Sequence, residues 1–429
     1  MLLEFELENE GSFADSSTLS LIASKLKEES EGSVRRIGPP AELDVLTSAI
    51  VLGKNGSGKS SFIDALKFVG QFVRSSAIDD GADAVLPYDP NLLMEGFDEK
   101  PTFFRVLFSV AGVVYNFGFS HDAEKIMEEF LEVADKSSRF RKLYERNWSE
   151  ELSEYEYSFG EALTGTRRVW ADNTRKNALY LSTANQLNSQ DLKEPYTWLT
   201  KFLRNASIGT TGKRYTIVRC REEKAFREKV VSFLQSMDVN VVDLEFREDE
   251  FDDTVLEKTF SREFLEKMKD QIGPRKDEKN YQVFFKKKTD TGDITEFPLS
   301  RESTGTRALF CLAGPLFDVL ENGYCLLVDE LNTSLHPLVV KFLIEIFGDE
   351  KINKKNAQLL FTSHDVSVLR ESVLRRDQVW FIEHDGTSSL IVPLSDYSPR
   401  KKEALEKGYL SGRYGGVPAV ATTFLRYLA

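Results

Sequence analysis

The opening residues alternate apolar and acidic side chains, Leu3, Phe5 and Leu7 against Glu4, Glu6 and Glu8. A period of two predicts a strand with one buried face. Residues 46–52 form a short, mostly apolar run entering a glycine-rich loop, which suits a strand covered on both faces in a parallel sheet. After the loop, Phe62, Ile63, Leu66 and Val69 recur at helical spacing, so 60–73 is expected as a helix. Residues 103–119 read as two strands turning at Ala111-Gly112. The stretch 122–147 fits a helix face through Ile126, Met127, Phe130, Leu131 and Ala134. It also alternates through Ile126, Glu128, Phe130 and Glu132, and the pattern alone leaves both open. Residues 166–203 and 222–237 read as helices, 239–246 and 281–287 as strands. Near the end, helices over 302–320 and 338–347 alternate with strands over 324–329, 357–362 and 378–383. Strand–helix alternation at both ends of the chain predicts an α/β core. The middle is more charged and less regular, as an insertion between two halves of one core would be. The expected division is 1–120, an inserted lobe of mixed strands and helices at 121–295, and 296–429.

Composition narrows the class. The 429 residues are 41% apolar and 29% charged, an ordinary globular mixture with length for a large core. The net charge of −13 argues against a bulk basic nucleic-acid coat, without excluding a local basic groove. Cys220, Cys311 and Cys325 follow no spacing pattern, which fits a reducing compartment rather than a disulfide scaffold. No basic segment precedes an apolar one at the N-terminus, and the longest apolar stretch, 107–119, is shorter than the ~20 residues a spanning helix needs. The expectation is a cytoplasmic protein with no membrane partner.

The strongest chemical signal is Gly53, Lys54, Asn55, Gly56, Ser57, Gly58, Lys59 and Ser60, a full match to G-x-x-x-x-G-K-[ST], followed by Ser61. Glycines let backbone N–H groups close on phosphate oxygens, and the next helix presents its N-terminus to the anion. Lys59 is placed to reach the β- and γ-phosphates and Ser60 to ligate Mg²⁺. ATP and Mg²⁺ are therefore the expected cofactors. A glycine-rich turn without a ligand is the bland alternative, and the strand before and helix after weigh against it. Gly209-Thr210-Thr211-Gly212-Lys213 has a superficial likeness but lacks the first glycine and the hydroxyl, and reads as a loop.

Residues 324–328 are apolar and end in Asp329-Glu330. A buried strand with that ending places Asp329 at the Mg²⁺ shell and Glu330 beside the attacking water. A strand ending in surface acids is the competing reading, weakened by the phosphate loop upstream. Of the four histidines, His121, His336, His364 and His384, His364 follows an apolar core strand (359–363) at the end where open α/β sheets bind ligands, although taken alone a structural histidine is the commoner reading.

This ordered set resembles the ABC-type ATPases of the AAA15 group, relatives of SMC, Rad50 and RecF-like heads. The resemblance is carried by 53–60, by Glu302-Ser303-Thr304-Gly305-Thr306-Arg307, by 328–337 and by Thr362-Ser363-His364-Asp365. The opening segment 5–13 and the tail 408–418 resemble the group as well. The resemblance implies a P-loop NTPase fold of ABC-ATPase type, with a split core. It implies that Ser303 and Gly305 form a signature segment meeting the γ-phosphate bound by an opposite subunit, that 332–336 crosses a dimer interface, and that His364 is the switch histidine. It offers Gln186 as the Mg²⁺-sensing glutamine, with Gln190 close by. It also favours strands over 122–147. The signature departs from L-S-G-G-Q, which argues against a transporter subunit.

Two loads for such an engine remain. One is an antiviral defence or abortive-infection system in which a self-associated ATPase acts with a separately encoded effector, such as a nuclease. The alternative is a RecF/Rad50-like DNA-repair or DNA-binding ATPase. Lys286-Lys287-Lys288 and Arg400-Lys401-Lys402 offer phosphate contacts, though both runs are short and read more simply as solvated loops. The acid run 248–253 reads as a solvated loop. No sustained heptad repeat marks a Rad50-like arm.

Overall fold

The computed structural model describes the chain except residues 26–31, 39–41, 79–80, 82–83, 135–138, 206–209, 249–280, 334, 371–372, 400–402 and 418–429. Asp249 to Asp253, Gly209, Ser334, Arg400 to Lys402 and Pro418 therefore lie outside the described residues. Two compact units are present: Met1–Ser207 with Pro315–Ala429, and Ile208–Gly314.

The larger unit begins with β1 (Leu2–Glu8), β2 (Ser17–Ser20), β3 (Val34–Ile37), β4 (Leu43–Leu46), β5 (Ser48–Leu52) and α1 (Lys59–Ser75). It continues through β6 (Thr102–Val110), β7 (Val113–His121), β8 (Ile126–Ala134), β9 (Phe140–Ser149) and β10 (Glu154–Phe159). Then come α2 (Arg167–Asp172), α3 (Tyr180–Gln186), α4 (Lys193–Lys201) and β11 (Leu203–Asn205). The smaller unit holds α5 (Thr210–Glu222), α6 (Lys224–Ser236), β12 (Asp243–Glu248), β13 (Tyr281–Lys288), β14 (Ile294–Pro298) and the first turns of α7 (Thr304–Asn322). The larger unit resumes with β15 (Cys325–Val328), α8 (Pro337–Gly348), β16 (Gln358–Ser363), β17 (Val379–His384), β18 (Ser389–Pro393) and α9 (Leu405–Leu410).

Two large sheets organise the larger unit. One is antiparallel, in the order β10-β9-β8-β7-β6-β1-β2. The other runs β11-β15-β16-β5-β17-β18 and is parallel except for β18. The smaller unit has the antiparallel sheet β12-β13-β14. The expected α/β P-loop architecture is present. β5, β15 and β16 are buried along their whole length, as apolar runs in a sheet covered on both faces should be. β6 and β7 turn at Ala111-Gly112, both at positive φ, so the two-residue turn matches the right-handed strand twist.

Within 122–147 the strands favoured by the resemblance are present as β8 and β9, and β8, β9 and β10 extend the sheet of β1, β6 and β7. Their charge reflects the solvated face of an antiparallel sheet rather than a chain segment set apart. Several other local expectations are corrected. The compact smaller unit is Ile208–Gly314, against the lobe of 121–295 expected from charge density. Leu203 belongs to a strand pairing with β15, not to a helix. Residues 210–213 open α5 and are not a loop. Lys286, Lys287 and Lys288 lie in β13, where Lys286 pairs with Glu245 at 2.9 Å and Lys287 with Glu302 at 2.6 Å. Among the described residues, no helix is long and apolar enough to cross a membrane.

The helix that leaves the phosphate loop is gripped by the antiparallel sheet. Phe62 meets Phe5 at 5.3 Å between ring centroids, Phe68 meets Phe104 at 5.4 Å, and Phe72 meets Phe119 at 5.5 Å. His121 sits in this aromatic cluster, 1% exposed, and burial pushes its pKa down, so it packs as a neutral ring. A buried amide joins the sheets: Gln358 at the start of β16 donates to Leu2 O and Leu46 O and accepts from Leu2 N.

A second buried polar cluster holds α3. Glu129 on β8 and Arg146 on β9 are both 0% exposed and pair at 3.2 Å. Glu129 also accepts from Tyr144 Oη at 2.7 Å and from the Tyr180 and Leu181 amides at 2.7 and 3.0 Å, so a strand carboxylate caps the first turn of α3. Arg146 donates to Ala178 O at 2.6 Å. Removing one partner strands a charge in the core, and Arg146→Ala is expected to cost about 3–5 kcal/mol. Tyr144→Phe removes one hydrogen bond to a charged group and should cost about 1.5–3 kcal/mol. Denaturant titration of both variants checks the order.

Candidate functional site

The site forms where three parallel strands end within two residues of one another. Ser363 of β16 is in register with Leu52 of β5, and Phe361 with Val328 of β15. Gly53, Asp329 and His364 therefore leave the sheet side by side. The glycines are required in the loop. Gly56 and Gly58 sit at φ +73° and +96°, where side chains are disfavoured. A Cβ on Gly53 would lie 2.5 Å from Ser57 Oγ and 2.9 Å from Ile382 O. No side chain caps the first turn of α1, leaving its N-terminal amides for an anion.

Lys59 is buried, and its Nζ donates to Gly53 O at 2.8 Å and Lys54 O at 2.9 Å. Burial lowers its pKa, and the nearby charges of Glu330 and Asp329 oppose that shift. Ser60 Oγ donates to Asp329 Oδ2 at 2.7 Å, and Thr362 Oγ1 donates to Asp329 Oδ1 at 2.5 Å. The same threonine oxygen accepts the Glu330 amide at 2.7 Å. Glu330 stands at φ +51°, a left-handed conformation uncommon outside glycine. Its Oε1 meets His364 Nε2 at 2.9 Å, and its Oε2 accepts from Thr333 Oγ1 at 3.0 Å. These bonds, that to His364 first, hold its pKa below the ordinary glutamate value. The carboxylate is charged at neutral pH and can accept a proton. Asn332 Oδ1 accepts the His364 amide at 3.3 Å.

The donor set fits Mg²⁺. A hydroxyl and a carboxylate oxygen are hard ligands, and their 2.7 Å separation is close to the ~2.9 Å edge of an octahedron with 2.0–2.1 Å bonds. One carboxylate and one hydroxyl leave the remaining positions to water and phosphate, the usual way this ion is bound. Among the described residues, no cluster of three or more His, Cys, Asp or Glu forms an all-protein cage.

The structure brings together 53–61, Asp329, Glu330 and His364. Ser303 and Gly305 lie in the smaller unit, where Ser303 Oγ accepts the Thr306 amide at 3.1 Å and caps α7, with Gly305 in the first turn. Gln186 ends α3, which is fixed to the far end of α1 by Ser182 Oγ donating to Val73 O at 2.6 Å. Val73 is about 20 Å along α1 from Ser60, and four more helical residues cover only about 6 Å of it. Gln186 is thus not brought to the Ser60–Asp329 pair. The strand that does flank β15 is β11, with Asn205 in register with Leu327, and its three residues were too few to show a period. His336 caps α8, accepting the Leu338 amide at 3.3 Å, and His384 Nδ1 contacts Ser389 Oγ at 3.1 Å. The three cysteines are free and buried, and burial pushes their thiol pKa values up, which disfavours the thiolate. Thr362 was visible only as part of a motif; its double role required the register.

A phosphate loop, a metal-suited Ser–Asp pair and a Glu–His pair at the ends of parallel strands define a P-loop nucleotide-binding ATPase domain. Residues 48–370 match the family described as "AAA domain, putative AbiEii toxin, Type IV TA system", and the chain belongs to it. No curated protein matches the sequence. Among solved structures, the SMC head domain from Thermotoga maritima is similar with TM-score 0.39 and 14% identity, over 91% of this chain and 98% of that one. An SMC head bound to the C-winged helix domain of ScpA is similar with TM-score 0.38 and 13% identity, over 91% and 96%.

Thr362→Val keeps the volume of the side chain and removes the oxygen shared by Asp329 and Glu330. Turnover of ATP should fall about 10-fold or more while nucleotide affinity changes little, read by steady-state kinetics beside equilibrium binding.

Proposed function

We propose that the chain hydrolyses ATP to ADP and phosphate. The observation that carries this is Glu330, a charged carboxylate held by His364 and Thr333 beside the Ser60–Asp329 pair. Lys59 and the loop amides hold the phosphates, and Ser60 and Asp329 hold Mg²⁺. When bound, Mg²⁺ neutralises charge developing on the β- and γ-phosphate oxygens. Glu330 accepts the proton of the attacking water, and His364 steadies Glu330 and the γ-phosphate end.

The domain acts as a switch through self-association of the AAA15 kind, with Ser303 and Gly305 of one copy closing on the nucleotide of the other. Support comes from α8, where Leu338 and Phe342, one helical turn apart, are 64% and 37% exposed next to the 332–336 segment. A nucleotide touching both copies stabilises the pair only while intact, so hydrolysis releases it. The load is an antiviral defence or abortive-infection effector encoded separately. The family description, with its putative toxin, supports that reading. The DNA-repair alternative is less favoured because Lys286 and Lys287 are already paired with carboxylates.

Glu330→Gln should bind ATP yet turn it over ~10²-fold or more slowly. With ATP and Mg²⁺ its mass should double, and Leu338→Glu should keep it single. Near-normal turnover in Glu330→Gln sinks the assignment of the base. Salt-sensitive stimulation of ATPase activity by DNA would move the load to repair.

The low pKa of Glu330 also sets a pH dependence. The carboxylate is the active form, so the acid limb of kcat lies below the range of an ordinary glutamate, and activity is flat in this group near neutrality. His364→Ala removes the first contributor to that lowering, and the acid limb of its residual activity should move to higher pH. An unmoved limb in a kcat–pH profile would separate the histidine from the titration of Glu330.

A further inference from the structure

The strand order gives the nucleotide a direction. β5 carries the phosphate loop between β16 on one flank and β17 on the other. Asp329, Glu330 and His364 all stand on the β16 flank, so the γ-phosphate faces that way. The α-phosphate and whatever it carries must leave over β17. On that flank a cleft of about 430 Å³ opens directly from the loop, lined by Lys54, Asp15, Glu383, Leu390 and Gly416 among others. Its volume is in the range of small-ligand sites.

One wall of the cleft, Gly415, Gly416 and Val417, comes from near the end of the chain, and an aromatic cluster behind it holds it in place. Phe381 of β17 is stacked by Tyr409 at 5.4 Å and by Tyr414 at 5.8 Å, both rings within 18° of parallel. Tyr397 meets Phe381 and Tyr414 edge-on. Tyr414 is fully buried and donates to Glu403 at 2.7 Å, and Tyr409 Oη donates to Gly416 O at 2.9 Å. This seating presses Gly415 and Gly416, both at φ +65°, against the sheet edge and the loop. A Cβ on Gly416 would stand 3.6 Å from Gly53 Cα, and one on Gly415 would strike the Glu383 carboxylate. Ser57 Oγ lies over the same Gly53, fully buried and without a hydrogen-bond partner. Lys54 Nζ donates to His384 O at 3.1 Å and Ser389 Oγ to Ser57 O at 2.9 Å, tying loop and hairpin into one frame.

We propose that this cleft is the nucleoside subsite and that residues 415–417, seated by Tyr409 and Tyr414, form one of its walls, so that this segment sets affinity for ribose and base. This rests on reading 53–60 as the nucleotide's phosphate site. Asp15 is exposed, and its carboxylate makes no hydrogen bond among the described residues, so it is free to accept ribose hydroxyls. Leu390, 47% exposed at the cleft, offers apolar surface to a planar base.

The test compares ATP with inorganic tripolyphosphate, both with Mg²⁺, by equilibrium binding to the full chain. Tripolyphosphate reports the loop alone. Wild type should bind ATP at least about 10-fold more tightly. Gly416→Val places a branched side chain at positive φ against the loop and should unseat the wall. ATP affinity should then fall about 10-fold with tripolyphosphate unchanged. Asp15→Asn, a surface change that leaves folding intact, should weaken ATP but not 2′,3′-dideoxy-ATP. If both variants bind ATP as wild type does while Lys59→Ala loses both ligands, the subsite is overturned and the phosphate site stands. If Gly416→Val loses both ligands equally, the segment supports the loop rather than the nucleoside, and the proposal is overturned. If wild type binds neither ligand, the phosphate reading itself fails.

Discussion

The chemistry of this protein hangs on a register. β15, β16 and β5 pair so that Val328, Phe361 and Ile50 lie abreast, and the three chains leave the sheet within a residue or two of one another. Only then does Thr362 reach both Asp329 and the Glu330 amide, and only then does Ser60 meet Asp329. A slip of one residue would turn every side chain of β16 to the other face. It would put Ser363 where Thr362 stands. Full burial of all three strands on both faces makes such a slip costly, because it would exchange the apolar positions that each face packs. The site's accuracy is thus a consequence of core packing rather than of the loop alone.

The same logic explains the size of the antiparallel sheet. A phosphate loop needs a helix whose first turn is fixed, and α1 is fixed along most of its length. Phe62, Phe68 and Phe72 are spaced to meet Phe5, Phe104 and Phe119 of that sheet. Gly58, at the mouth of the helix, is in turn pressed by Ser12 and Phe13 from the turn after β1. β8 and β9 then contribute Glu129 and Arg146, which carry the restraint on to α3. The β-rich part of the chain is therefore a vice for the phosphate helix.

How much of this the sequence disclosed depends on how local each feature is. The loop 53–60 and its helix were legible because glycine placement and helical spacing are short-range constraints. Asp329, Glu330 and His364 were legible because each ends an apolar run. The strands over 122–147 were not settled, since one face of an antiparallel sheet is solvated and Met127 and Phe130 counterfeit a helix face. β11 was missed because three residues show no period. Gln186 was chosen by resemblance and stands on a helix fixed near Val73, since a chain-order argument carries no information about which end of α1 the helix meets. Lys286 and Lys287 looked free for phosphates because their partners, Glu245 and Glu302, are brought by strand pairing and by the turn before α7.

Glu330 shows how a carboxylate can be held in place without being buried. Its side chain is 43% exposed, so desolvation does little to its pKa and cannot orient it. Orientation comes from the backbone instead. The left-handed turn at φ +51° is held by the Glu330 amide on Thr362 Oγ1 and by the Leu331 amide on Thr362 O at 3.1 Å. A left-handed non-glycine residue costs on the order of 1–3 kcal/mol and persists only where neighbours overdetermine it. Thr362 supplies that overdetermination through its side chain and its carbonyl at once. The two carboxylate oxygens are then divided between His364 and Thr333, which aligns the plane of the group. An exposed carboxylate on a strained, doubly anchored turn stays hydrated, charged and fixed in orientation. Those are the properties that the proposed role as a base requires.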